Sequence, residues 1–123
     1  MGIVNPRPNS TPSPWRLTGL NQWYELCQTY PSLIVVPAGM SNGQVEAVAR
    51  FRSEQRMPVL CWGKRTDSTS IWRSSQPKIG MSRASCTEDE QMLAHLAAAS
   101  PTRILPIVDC RPRTSATANF ATG

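Results

Sequence analysis

Histidine is almost absent from this 123-residue sequence, and its cysteines are few and scattered. His95 is the only histidine, and the four cysteines show no Cys-x-x-C spacing. A structural metal site needs a cluster of such ligands at short spacings, so the sequence predicts neither a metal site nor a cofactor. The same scarcity leaves no histidine partner for a serine or cysteine nucleophile, and we expect His95 at the surface.

Long apolar runs are absent as well. No stretch reaches the roughly 18 apolar residues of a membrane-spanning helix, and the chain does not open with the charged and apolar segments of a signal peptide. We therefore expect a cytoplasmic protein with free thiols. Cys27, Cys61 and Cys110 adjoin apolar runs and are predicted to be small core residues.

Lysine is scarce: the positive charge comes from eleven arginines and only two lysines, which give a net charge of +5. A basic balance is compatible with nucleic acid, phospholipid headgroups or acidic proteins, or simply with a soluble basic surface. The sequence has no nucleic-acid-binding motif and no stripe of arginines interleaved with aromatic residues. We therefore expect no nucleic-acid partner.

The length fits one domain. Residues 1–14 contain four prolines among Asn, Ser and Thr and are predicted to be a disordered linker. Residues 15–123 are predicted to form the domain. The chain stops inside a predicted helix, so we expect a truncated domain.

Four apolar segments are typical of strands. Residues 57–62 and 69–72 are rich in β-formers and flank a polar loop that opens on Gly63, which predicts a hairpin. Residues 32–36 form a β-branched run that predicts a buried strand. Residues 104–109 predict a further strand, at an edge or a bulge because of its internal proline.

Two capping patterns predict helices. Ser41 with Gln44 forms one capping box, and Val45, Val48 and Ala49 mark the buried face of the helix that follows.

Thr87 with Glu90 forms the second capping box, ahead of a helix that ends near Ser100. Its predicted buried stripe is Met92, Leu93, Leu96 and Ala97. A last helix is predicted to start at Thr114 or Ser115. Strands that alternate with helices indicate an α/β sheet with helices on both faces.

No nucleophile is recognisable from spacing. A cysteine phosphatase needs an arginine six residues after its cysteine, because the thiolate attacks phosphorus while the arginine and backbone N–H groups hold the phosphate oxygens. Those positions are occupied by Leu33, Asp67, Met92 and Ala116. The acidic cluster at residues 88–90 is interpreted as charge that complements a helix N-terminus.

A series of short segments resembles the phosphatase domain of the myotubularin family. In chain order they are residues 15–17, Asn21, residues 24–31, 35–37, 51–53, 56–60, 73–77, Gly80, residues 88–90, 109–112, 116–119 and Gly123. No one of them is decisive alone, but together they are specific and extend over residues 15–123.

The resemblance implies a partial, dual-specificity-like cysteine-phosphatase fold with a mixed sheet and flanking helices. It implies removal of the 3-phosphate from phosphatidylinositol 3-phosphate and phosphatidylinositol 3,5-bisphosphate, on endosomal membranes from the cytoplasmic side. The implied partners are phosphoinositide headgroups and, in the full-length form, homo- or hetero-dimers with myotubularin-related proteins.

Two substrate-binding residues are expected and no catalytic one. In the family, the asparagine of an Ala-x-Ala-Asn-x-x-x-Gly segment helps to hold the headgroup, and Asn119 matches it. An amide can donate to a phosphate oxygen or an inositol hydroxyl. Arg111 follows a predicted strand end, where α/β folds place their sites. The family's His-Cys … Arg loop does not occur in these residues, so the chain alone is predicted to be inactive; the alternative is a pseudophosphatase, adaptor or fragment that binds protein or lipid.

Overall fold

The fold is taken from a computed structural model that describes residues 13–64, 66–80 and 83–122, and residues 118–122 by their backbone alone. The predicted linker lies outside the described residues except for Ser13 and Pro14. No helix in the described part of the chain is long and apolar enough to cross a membrane.

The first sheet pairs strand β1, Trp15–Thr18, with strand β2, Ile34–Pro37, in antiparallel register. All four residues of β2 are buried, as the β-branched run predicted. Besides its pairing with β1, β2 packs against β3 and α2, which is consistent with its burial.

The second sheet is the predicted hairpin. Strand β3, Val59–Gly63, pairs antiparallel with strand β4, Ser70–Arg73. A bulge at Cys61 shifts the register between Leu60 and Trp62. The two sheets meet where the rings of Trp15 and Trp72 pack edge to face, with centroids 4.9 Å apart.

Two helices complete the core. Helix α1, Asn42–Phe51, starts with the predicted capping box: Ser41 Oγ accepts from the Gln44 amide and Gln44 Oε1 accepts from the Ser41 amide. It buries Val45, Val48 and Ala49, as predicted. Helix α2, Thr87–Ala99, buries Met92 and Leu96 and leaves His95 exposed, as predicted, whereas Leu93 and Ala97 of the predicted stripe are only half-buried.

The second predicted capping box is wrong. Helix α2 begins one residue early, so Cys86 occupies the N-cap position and makes no capping hydrogen bond with its side chain. Thr87 is therefore already inside the first turn, where its hydroxyl is not placed as a cap. The acidic first turn is present, but one of its carboxylates is buried.

The predicted strand at residues 104–109 and the mixed sheet do not form within the described residues. The strands pair there as two separate antiparallel ladders, and residues 104–110 have no regular secondary structure. The run has no strand to pair with, so Ile104, Ile107 and Val108 are 64–80% exposed. The chain then enters helix α3, Arg113–Thr122, which starts slightly earlier than predicted.

The cysteines behave differently from one another. All four are free thiols, as expected. Cys27 is a core residue, whereas Cys61 and Cys110 are exposed, so their prediction as core residues is wrong. Cys61 lies at the bulge of β3, and Cys110 follows the unpaired apolar run.

Replacement of the two predicted cap residues tests which of them caps its helix. Ser41→Ala removes a formed cap and should lower the free energy of unfolding by about 1 kcal/mol. Thr87→Ala should change it by less than about 0.5 kcal/mol, because its hydroxyl caps nothing. Urea denaturation followed by circular dichroism measures both; equal losses would mean that Thr87 is a cap after all.

Candidate functional site

Arg111 lies in an exposed turn just before α3. Its Nε and Nη2 atoms donate to the two carboxylate oxygens of Asp109 at 3.0 and 2.8 Å, and its backbone amide donates to Oδ1 at 3.0 Å. The hydrogen bonds from Arg111 lower the pKa of Asp109 to about 2, and they raise the pKa of Arg111 in turn. The turn therefore presents a guanidinium that an internal carboxylate already holds in place.

Asn119 lies six residues into α3, about 9 Å along the axis from Arg113. Its side chain lies outside the described residues. The structure thus places both predicted substrate-binding residues around one element, Arg111 before its first turn and Asn119 in its second half.

The best-built polar cluster lies elsewhere, around Arg52 at the end of α1. Its Nε and Nη2 atoms donate to the two carboxylate oxygens of Asp89 in α2, both at 2.7 Å, and Nη1 donates to the Ser75 carbonyl at 2.9 Å. Arg52 and Asp89 are 8% and 5% exposed. Sequence reasoning missed this pair because it interpreted the acidic cluster at residues 88–90, which includes Asp89, as charge at a helix N-terminus.

The irregular segment that follows the hairpin, residues 74–78, is hydrogen-bonded to the end of α1. The Ser75 hydroxyl donates to the Ser53 carbonyl at 2.6 Å, and the Ser53 amide donates to the Gln76 carbonyl at 3.0 Å. The Lys78 amide donates to the Phe51 carbonyl at 2.7 Å. One guanidinium, one serine hydroxyl and two backbone hydrogen bonds therefore join the end of α1, the end of the hairpin and the start of α2.

A second buried cluster organises the loop between β1 and β2. The Asn21 amide nitrogen donates to the carbonyls of Cys27, Tyr30 and Pro31, and its oxygen accepts from the Cys27 amide. The Tyr30 hydroxyl donates to the Met57 carbonyl at 2.9 Å. Burial, with a smaller effect of nearby Cys27, raises the pKa of Tyr30 to about 12, so the phenol stays neutral at physiological pH.

The described residues offer no ready pocket for a phosphate. An open groove of about 260 Å³ is lined by Leu20, Glu25, Leu26, Glu46, Ala49, Arg50 and Gln55. Two carboxylates against one guanidinium do not create the positive field that a phosphate needs. Within the same described residues, no cluster of His, Cys, Asp or Glu could hold a metal ion.

Comparison with known proteins decides the family. A family model described as "Myotubularin-like phosphatase domain" matches residues 1–123. The chain belongs to this family. Myotubularin of Xenopus laevis is 44% identical over 110 residues, which are 89% of this chain and 18% of that protein. The phosphatidylinositol-3,5-bisphosphate 3-phosphatase MTMR8 of Gallus gallus is 46% identical, and MTMR2 of Pongo abelii is 43% identical, each over 89% of this chain and 17% of that protein.

This myotubularin-family chain spans less than a fifth of the length of the curated relatives that it matches. The resemblance noted from sequence is therefore confirmed at the level of the family. Several of its segments hold the scaffold: residues 51–53, 73–77 and 88–90 meet at Arg52, while Asn21 and residues 24–31 form the second cluster.

Removal of a single carboxylate distinguishes a buried ion pair from a helix-end charge. Asp89→Ala leaves the Arg52 guanidinium buried without its counter-charge and should lower the free energy of unfolding by about 3–5 kcal/mol. Glu90→Ala removes an exposed carboxylate from the same helical turn and should cost no more than about 1 kcal/mol. Urea denaturation compares them; similar losses for both would contradict the structural role of the pair.

The hydrogen bonds between Asp109 and Arg111, in the turn before α3, should depend on pH. The pKa of Asp109 is about 2, against 3.8 for a free side chain, so the hydrogen bonds are complete above about pH 4 and are lost as the pH falls toward 2. A carboxyl-carbon NMR titration should find this midpoint. Arg111→Gln should return the pKa of Asp109 toward 3.8, whereas Arg103→Gln, in another exposed turn, should leave it low.

Proposed function

We propose that this chain is the N-terminal part of a phosphoinositide 3-phosphatase domain that acts on phosphatidylinositol 3-phosphate and phosphatidylinositol 3,5-bisphosphate. The observation that carries the proposal is the family match over residues 1–123. Relatives named for 3-phosphatase activity on the bisphosphate support the substrate class. The two antiparallel ladders and their helices then belong to a larger dual-specificity-like cysteine-phosphatase fold.

In this proposal the chain supplies scaffold and part of the substrate contact, and the nucleophile lies outside it. None of the four cysteines has an arginine six residues later. Arg111 and Asn119 bind the inositol phosphate headgroup, the first by charge and the second through its amide. Asp109 holds the Arg111 guanidinium until a phosphate competes for it.

The protein is proposed to work on the cytoplasmic side of endosomal membranes, where its lipid substrate lies. Dimers with myotubularin-related proteins are proposed for the full-length form.

A binding role without catalysis is the second candidate. The exposed run that contains Ile104, Ile107 and Val108 favours it, because large exposed apolar stretches commonly mark interaction surfaces. In that case the chain acts as an adaptor or pseudophosphatase that recruits protein or lipid.

Binding of a soluble headgroup tests the proposed contact residues. Addition of inositol 1,3-bisphosphate should shift the backbone amide signals of residues 109–119, and Arg111→Gln or Asn119→Ala should each weaken binding by about tenfold. Arg103→Gln is the matched control and should bind normally. Unchanged signals, or equal weakening by the control, would reject these two residues as headgroup ligands.

Turnover is the separate measurement. The purified 123-residue chain should release no phosphate from phosphatidylinositol 3-phosphate above a buffer blank, because it lacks a cysteine and arginine at phosphatase spacing. Steady release by the chain would show that the nucleophile lies within it after all.

A further inference from the structure

The hairpin of β3 and β4 has two faces, and the second turns to solvent only over its outer half, because Val59 at its base belongs to the core. Leu60 and Trp72 lie opposite each other on the first face, and Trp72 packs on Trp15 of the other sheet. Trp62 lies opposite Ile71 on the second face. Because side chains alternate along a strand, each face keeps one set of partners.

The solvent face is apolar over its outer half. Trp62 is 49% exposed and Ile71 is 59% exposed, and as cross-strand partners they form one contiguous surface. Nearer the core, Val59 lies opposite Arg73 on the same face; Val59 is buried while Arg73 is exposed. Apolar groups thus lie toward the tip of the hairpin, and a cation lies behind them.

A second arginine flanks the same end of the hairpin. Arg56 Nε donates to Thr29 Oγ1 at 3.0 Å, and the Arg56 carbonyl accepts from the Ser74 hydroxyl at 3.0 Å, which places Arg56 beside the residue that follows Arg73. Neither arginine forms an ion pair with a carboxylate in the described part of the chain.

We propose that this hairpin face, formed by Trp62, Ile71 and Arg73 and flanked by Arg56, is a docking surface for an anionic lipid bilayer. Tryptophan prefers the membrane–water interface, isoleucine enters the acyl boundary, and arginines attract anionic headgroups. The inference rests on the proposed function in one respect, namely that the substrate is a lipid within a bilayer. It adds which surface of the chain meets that bilayer.

The charges on the face argue against two other occupants. A second copy of the chain would bring arginines against arginines across a symmetric contact, which is unfavourable. A basic protein surface would be repelled in the same way. RNA shares the negative charge and could stack on Trp62, but it offers nothing to cover Ile71. A bilayer matches both the charge and the apolar groups.

Vesicle binding of the full 123-residue chain tests the proposal. The probes are phosphatidylcholine vesicles with and without phosphatidylserine, neither containing a phosphoinositide. The chain should cosediment with the anionic vesicles, less so at high salt. Arg73→Gln should lower the partition coefficient about fivefold, and Ile71→Ser should lower it by roughly the same factor.

Matched variants away from the face are the controls. Trp23 is 75% exposed and Arg103 is also exposed, both outside the hairpin, so Trp23→Ser and Arg103→Gln should bind vesicles as the parent does. The blue shift of tryptophan emission on vesicle addition should vanish in Trp62→Phe and persist in Trp23→Phe. Circular dichroism of each variant confirms that it is folded, as expected for exposed positions.

Several outcomes would overturn the docking surface. They are equal binding to neutral and anionic vesicles, loss of binding in Trp23→Ser but not in Ile71→Ser, or binding to RNA with none to vesicles. Because the vesicles contain no phosphoinositide, a chain that binds the soluble headgroup but not the vesicles would reject this surface and leave the proposed substrate contact standing. Vesicle binding without headgroup binding would reject the proposed substrate contact and leave the docking surface standing.

Discussion

The buried ion pair of Arg52 and Asp89 is the contact on which the rest of the arrangement depends. It joins two helices whose partners are 37 residues apart in sequence, and through the Ser75 carbonyl it also fixes the end of the hairpin. A buried charge is costly unless it is paired and fully hydrogen-bonded. Here the carboxylate receives two donors and the guanidinium makes three hydrogen bonds, so the cluster is stable only when all three elements are in place.

Asn21 holds the loop between β1 and β2 in place by hydrogen bonds, as Arg52 joins the two helices. Four hydrogen bonds from one side chain close the loop, and Tyr30 ties it to Met57 ahead of the hairpin. Each of these polar groups is satisfied in a buried setting, where an unpaired one would cost about 1–3 kcal/mol. Several segments by which the chain resembles the myotubularin family therefore hold backbone in place, which explains why they reveal the family without revealing an active site.

The exposed apolar side chains of the described residues include two surfaces that contrast with each other. One is the hairpin face with its two arginines, and the other is the run after α2 that contains Ile107. They differ in chemistry, because the first combines apolar and cationic groups while the second is followed by the Asp109–Arg111 pair. The difference separates a surface suited to a charged bilayer from one suited to apolar packing against protein.

Local sequence determined the elements whose signals lie within a few residues. The Ser41 capping box, the buried face of α1, the buried strand β2 and the hairpin all follow from short-range spacing, because caps, periodicity and turns involve neighbours along the chain. The family also came from sequence. The expected contact residues Arg111 and Asn119 were placed around α3, but their role remains a prediction.

Tertiary structure decided what depends on distant partners. The run at residues 104–109 has the composition of a strand, yet a strand needs another strand to accept its hydrogen bonds, and none pairs with it in the part of the chain that the structure describes. In the sequence, Asp89 cannot be distinguished from the acidic residues beside it; only the fold pairs it with Arg52. Cys61 is exposed at a bulge of β3 that residue spacing does not predict. Sequence fixes which groups a segment can offer, whereas only the folded chain fixes which of them meet, because those contacts join residues far apart along the chain.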